Sequence, residues 1–183
     1  MMPPSPLACL PALLHPLRVR AVDDGDADFL ALLYASTRMD LASTTAAPSF
    51  VAALIAMQQR LQAAGYRNDF PGARYLLLER DGAPCARIVV DAGAQALRLV
   101  DIALLMDARG QGVGSHVLRA LQQCAQHAGL PLRLAVHHSN PGARRLYVAL
   151  GFRTHSRNAV SEQMVYPGTS CAGANGNVKY DVK

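Results

Sequence analysis

The alternation of apolar and polar positions divides the chain into a strand, two helices, three strands, a helix, a strand, a helix and two closing strands. Leu17 to Val22 alternates apolar residues with arginine, as a half-buried strand does. Four carboxylates between Asp23 and Asp28 mark a helix start, where the helix dipole favours negative charge, and Phe29 to Thr37 continues it with apolar residues. After the small-residue loop Ala42 to Ala47, Pro48 opens a second helix with an expected core stripe of Val51, Leu54, Ile55, Gln58 and Leu61, ending at Gly65. Asn68 to Arg74, with Pro71 and Gly72, reads as a loop. Tyr75 to Glu79 and Cys85 to Val90 predict two strands about the turn Arg80 to Pro84, signalled by Asp81 and Gly82. A turn through Gly93 leads to a central strand, Leu97 to Leu105.

The stretch Val100 to Gly114, VDIALLMDARGQGVG, organises the rest. Every residue from Val100 to Met106 except Asp101 is apolar, as in a buried strand, and the turn RGQGVG follows at once. From Val113 a helix places Val117, Leu118, Leu121, Cys124, Ala125 and Ala128 on one face and His116, Arg119, Gln123 and Gln126 on the other. Glycines between a strand end and a helix start let unpaired amides approach a ligand, and the junction is a seat for phosphate. Leu130 to Val136 reads as another buried strand. Pro141 to Leu150 reads as a helix capped by Ser139 or Asn140 and stopped by Gly151, and Phe152 to Arg157 and Gln163 to Tyr166 as the last strands.

Composition narrows the classes. A chain of 183 residues that is 51% hydrophobic supports one domain with a real core. Residues 1–16, with five prolines and no period, read as an irregular lead-in, and 17–167 as the domain. The tail 168–183 holds the chain's only lysines, Lys179 and Lys183, and reads as an appended or naturally disordered segment. Cys9, Cys85, Cys124 and Cys171 lie far apart without a CxxC pair, so neither a disulfide framework nor a metal is expected. No lysine or arginine precedes Arg18, and no apolar run reaches membrane-spanning length, so the expectation is a soluble, cytoplasmic protein. The net charge of +5 is not clustered, and aromatics make up only 5%, which argues against nucleic acid. The region between Asp107 and Glu162 contains seven arginines and no carboxylate, an asymmetry that favours a polyanionic ligand.

Three glycine-rich readings compete for the central turn. A Walker A loop needs a lysine that the body of the chain lacks. A dinucleotide fingerprint places Ser115 at the third glycine position and finds no acidic residue downstream. The third is a pyrophosphate loop of the RGxGxG kind. IALLMDARGQGVGSHVL from Ile102, followed by NPGARRLYVALGF from Asn140 to Phe152, resembles the acetyl-CoA-binding core of the GNAT N-acetyltransferase superfamily. The similarity covers about residues 97–166.

That resemblance implies an α/β (α+β) fold. Its mixed, twisted sheet would have six to seven strands with about four helices on both faces, and a cofactor cleft where two parallel strands splay apart. It further implies that backbone groups of Ile102, Ala103 and Leu104 pair with the pantetheine arm of acetyl-CoA. The amides of Arg109, Gly110, Gln111, Gly112, Val113, Gly114 and Ser115 would hold the pyrophosphate, and Asn140 would bond the pantetheine end. Tyr147 would be the general acid for the leaving thiolate. Met106 and Leu104 depart from residues common in the family, at positions that act through backbone or packing.

The chemistry can be argued from the residues as well. Direct attack of an amine on a thioester requires a proton acceptor, oxyanion stabilisation, and protonation or shielding of the thiolate. Asp101, the one charge in an apolar strand, is the candidate base, with an ion pair to Arg98 or Arg87 as the alternative. A core tyrosine is the alternative for Tyr147, and His137 and His138 read as capping or exposed residues. The expected function is acetyl transfer from acetyl-CoA to a primary amine of a small molecule or peptide in a ternary complex. A non-catalytic acyl-CoA sensor and, behind it, a nucleic-acid module are the other classes. The expected partners are acetyl-CoA and an amine, with no nucleic acid, membrane or metal, and a homodimer is compatible with the sequence.

Overall fold

The computed structural model describes residues 5–38 and 47–168. Residues 42–46 of the expected loop and the tail from 169 onward lie outside the described residues. Seven strands form one sheet: β1 (Arg18–Ala21), β2 (Arg74–Arg80), β3 (Ala83–Ala92), β4 (Leu97–Leu104), β5 (Leu132–His137), β6 (Arg153–Arg157) and β7 (Ser161–Tyr166), in the order β1-β2-β3-β4-β5-β7-β6. All neighbours are antiparallel except β4 and β5, the two strands joined through a helix, and the sheet is therefore of the expected mixed kind. The β2–β3 hairpin closes because Asp81 (φ 53°) and Gly82 (φ 81°) both take left-handed conformations, which Asp and Gly tolerate best.

Among the described residues, five helices flank the sheet: α1 (Leu10–Leu13), α2 (Ala27–Ser36), α3 (Pro48–Asp69), α4 (Val113–His127) and α5 (Pro141–Ala149). The main core fills one face, where Val117, Leu118, Leu121, Cys124 and Ala125 of α4 meet Leu97, Leu99, Leu132 and Leu134, the pattern that their spacing predicts. On the opposite face α2 packs on β3 and β4, with Leu33, Val89 and Ala103 buried there.

Two expectations fail, for identifiable reasons. Residues before Leu17 are not irregular throughout. Pro11 sits in the first turn of α1, where its missing N–H is harmless, and Leu7, Leu10 and Leu14 are 2%, 1% and 0% exposed within the main core. His116, on the polar side of α4, bonds the Leu13 carbonyl at 2.9 Å, and Cys9 Sγ lies 3.0 Å from Cys124 Sγ, so α1 is fastened to α4 twice. The second helix does not stop at Gly65 but runs to Asp69. A glycine costs a helix interior only about 1 kcal/mol, and the extra turn carries Tyr66 and Phe70 onto β4, where both find partners. Asn68 and Asp69 are accordingly helical rather than loop. Of the expected stripe on α3, Val51, Leu54, Ile55 and Gln58 are half-buried, whereas Leu61 is 64% exposed, and no residue of the helix is fully buried. No helix among the described residues is long and apolar enough to cross a membrane, and no group of metal-ligating side chains occurs among them.

Candidate active site

The parallel pairing of β4 with β5 extends only from Leu97 to Leu99, opposite Leu132 to Leu134. Beyond that point the strands diverge, and β4 keeps a partner only on its β3 side. At the point of divergence the β3 register slips. Val89 faces Asp101 and Val90 faces Leu99, so Val100 is an extra residue on β4. The slip resets the inside-outside alternation, and Asp101 joins Arg98, Val89 and Asp91 on one face of the sheet.

A cleft of about 760 Å³ occupies the splay. Ile102, Ala103 and Leu104 form its β4 wall, Asn140, Gly142, Ala143, Leu146 and Tyr147 its α5 wall, and Arg109, Gly110, Gly112, Gly114 and Ser115 its end. Gly110 (φ 71°) and Gly112 (φ 81°) are left-handed, and Gly112 is the N-cap of α4. A Cβ at either would meet no protein atom within 4 Å, so backbone conformation rather than crowding selects glycine there. With no capping side chain, the first-turn amides of α4 stay available to an anion. This is the donor set that a pyrophosphate needs.

Individual side chains divide between lining and support. Arg109 Nε donates to Leu104 O at 3.0 Å and its Nη2 to Ser36 O at 3.2 Å, tying the loop to β4 and α2. Gln111 turns away from the cleft, accepting from Arg80 and donating to Asp107 O, both at 2.5 Å, while Val113 is buried in the core. Asn140 Oδ1 caps α5 by accepting from Ala143 N at 3.0 Å, which leaves its NH₂ group as the donor toward the cleft. Tyr147 lies two turns along α5 and is 6% exposed. Its ring packs 5.8 Å from Phe152, and burial, then the charge of Asp101, push its phenol up to about 12.

Asp101 faces a second cavity of about 460 Å³ that shares Ile102, Asn140 and Tyr147 with the first. Arg87 forms an ion pair with its Oδ2, and the Tyr66 hydroxyl bonds to it as well. Burial, followed by the Asp101 charge, pushes the Tyr66 phenol well above its ordinary value. Arg87 is thus the partner, since the register sets it on Ala103, two residues from Asp101 and on the same face. His137 lines this cavity and bonds Ser139 Oγ at 2.7 Å, whereas His138 bonds Asn158 O at 2.9 Å, as turn contacts. Tyr66 and Phe70, which the sequence does not single out, are two further walls of this cavity, and Arg98, expected only as a candidate ion-pair partner of Asp101, is a third. Tyr66 and Phe70 lie beyond Gly65, past the expected end of the helix.

The acetyltransferase (GNAT) family model matches residues 42–152. No curated protein sequence matches the chain. Among solved structures, PaiA N-acetyltransferase from Thermoplasma acidophilum, in complex with coenzyme A, superposes with a TM-score of 0.61 at 14% identity, covering 82% of this chain and 98% of that one. The ribosomal-protein-S18-alanine N-acetyltransferase from Escherichia coli gives 0.58 at 21% identity over 88% and 99%. A ribosomal L7/L12 alpha-N-protein acetyltransferase in complex with coenzyme A gives 0.57 at 14% over 83% and 94%. These likenesses are of fold. The family model spans more than half of the residues, including the splayed strand, the glycine turn and Tyr147, and the chain belongs to the GNAT family of acetyltransferases, which take acetyl-CoA as co-substrate.

Proposed function

We propose that the protein transfers the acetyl group of acetyl-CoA to a primary amine by direct attack in a ternary complex. The observation that carries this reading is the meeting of two cavities at Ile102, Asn140 and Tyr147, one ending at the α4 amides and the other open to Asp101. A sensor of acyl-CoA needs only the first.

In this reading the amides from Gly110 to Ser115 hold the pyrophosphate, and the unpaired edge of β4 from Ile102 to Leu104 orients the pantetheine arm beside Asn140. The acceptor enters from the other cavity as an ammonium ion. Asp101, ion-paired to Arg87, attracts it and accepts its proton through water. The free amine forms the new C–N bond as the C–S bond breaks, the departing sulfur takes the electron pair, and the second proton that the nitrogen sheds passes through water to that sulfur, giving the amide and the free thiol. Tyr147 donates its O–H to that sulfur. With the phenol at about 12 and an ordinary thiol near ~8.5, a hydrogen bond to the thiolate, rather than full ionisation of the tyrosine, is the favoured form of this help.

Tyr147→Phe tests the reading. It is expected to lower kcat by about a hundredfold while leaving acetyl-CoA binding intact. Binding can be followed by thermal shift, where ligand at about a hundred times its Kd should raise the midpoint by roughly 5–10 °C. Unchanged turnover removes Tyr147 from the mechanism, and no shift with acetyl-CoA overturns the donor assignment.

A further inference from the structure

The acceptor cavity does not end at Asp101. It shares Phe70, Arg98 and Gln163 with a third cavity of about 380 Å³, which Arg133 and Val165 also line. Arg98 and Arg133 stand directly opposite each other across the parallel β4–β5 pair, at the ordinary spacing of about 4.8 Å between strands. They therefore project from the same face, and the strand beyond continues the charge: Val165 faces Arg133 on one side and Arg153 on the other.

Two guanidinium groups side by side repel each other, and a folded protein normally separates them or places a carboxylate between them. Here it does neither. Among the described residues, neither Arg98 nor Arg133 has an ion pair within 4.0 Å. Asp91 sits in register with Arg98 on the β3 side, away from Arg133. Arg98 is instead held by neutral groups: its guanidinium carbon lies 5.5 Å from the centre of the Phe70 ring, and Nη1 donates to Gln163 Oε1 at 3.5 Å. Burial and then the Arg133 charge lower its affinity for its proton. A half-buried fork of donors, fixed by an aromatic ring, with no carboxylate within ion-pair distance and Asp91 on the side away from Arg133, is a site for a planar or tetrahedral oxyanion.

We infer that the acceptor is an amine that carries a carboxylate or phosphate group, which Arg98 and Arg133 bind while the amine lies at Asp101. The extra residue at Val100 is what makes this geometry available, because it brings Arg98 and Asp101 to the same face. Because Val100 is the extra residue, the two lie opposite Asp91 and Val89, two positions apart on β3, about 7 Å at the usual rise. The acceptor should therefore be extended, with its anion some two peptide units or roughly five to seven single bonds from the nitrogen. Polyamines and other polycations would meet the arginines unfavourably. The inference rests on the acetyl-transfer reading for the position of the amine, but the anion site stands on its own.

The experiment compares 6-aminohexanoate, a glycyl-glycyl-glutamate peptide and a 5-aminopentyl phosphate with hexylamine and spermidine as acceptors, using the full chain and acetyl-CoA. At least one anionic amine should exceed hexylamine in kcat/KM by tenfold or more, and spermidine should be the poorest. The preferred member distinguishes carboxylate from phosphate. Arg133→Gln should erase that preference through KM and leave hexylamine turnover unchanged. Its melting temperature without ligand should equal or exceed that of the parent, because a repulsive pair is gone; a purely structural arginine would lower it. Equal rates for charged and neutral acceptors, or a preference that survives Arg133→Gln, overturn the inference. Calorimetry on the protein saturated with coenzyme A provides a readout free of catalysis. There 6-acetamidohexanoate should bind at least tenfold more tightly than its amide. If it does while no amine is acetylated, the transfer reading fails and the anion site remains; equal binding of the two overturns the anion site.

Discussion

Single residues carry the chemistry, and their surroundings decide how. Tyr147 is held as a neutral phenol by burial and by the nearby Asp101 charge, with its ionisation moved up to about 12. Because the shift is upward, the O–H persists through the range in which an acceptor ammonium loses its proton. A kcat/KM profile should therefore rise as the amine is freed and then stay level to about pH 11, with no descending limb near ~10, the ordinary tyrosine value. A fall there, absent in Tyr147→Phe, would place the phenol in solvent. Asp101 shows why the sequence was only partly legible at this scale. A lone carboxylate in an apolar strand was visible, and so were two arginines within reach. The choice between them depends on strand register and one skipped residue, which no local pattern encodes. Tyr66 and Phe70 were hidden by a glycine that interrupts nothing.

Elements position those residues. The turn into α4 was legible because Gly110 and Gly112 need conformations that other residues resist. Gly112→Ala should cost about 1–2 kcal/mol for the left-handed backbone and weaken acetyl-CoA, which a thermal melt with and without ligand will separate. A smaller response to ligand than in the parent is expected, and an equal response would remove the turn from the donor site. Helix α1 was not legible, since five prolines in the first 16 residues mask its leucines. Leu14 is fully buried under α4, so Leu14→Ala should destabilise by roughly 2–5 kcal/mol. Urea unfolding measures it, and a loss below about 0.5 kcal/mol would mean that this segment is not part of the core.

Across the molecule, charge is balanced by pairing at the sheet margins. Glu162, 2% exposed, is held by Arg144, Thr154 and Arg157, and these bonds lower its carboxyl to about 2. Asp26, bonded by Arg20 and the Asp23 amide, falls to about 2 as well. A carboxyl with a lowered folded value stabilises fully above its unfolded pKa of ~4, and that contribution disappears as pH falls through about 2. Glu162→Gln should therefore melt below the parent at pH 7, with the difference shrinking between pH 4 and 2. A difference independent of pH would show that the ion cluster is not its origin.

The short β4–β5 pairing has a mechanical consequence. Only three residue pairs join the first four strands to the last three across the middle of the sheet, so the molecule resembles two leaves sharing a seam. A donor lying in the splay would span that seam and act as a removable stitch. Amides of β4 and β5 beside the gap should then exchange with solvent more slowly when coenzyme A is bound.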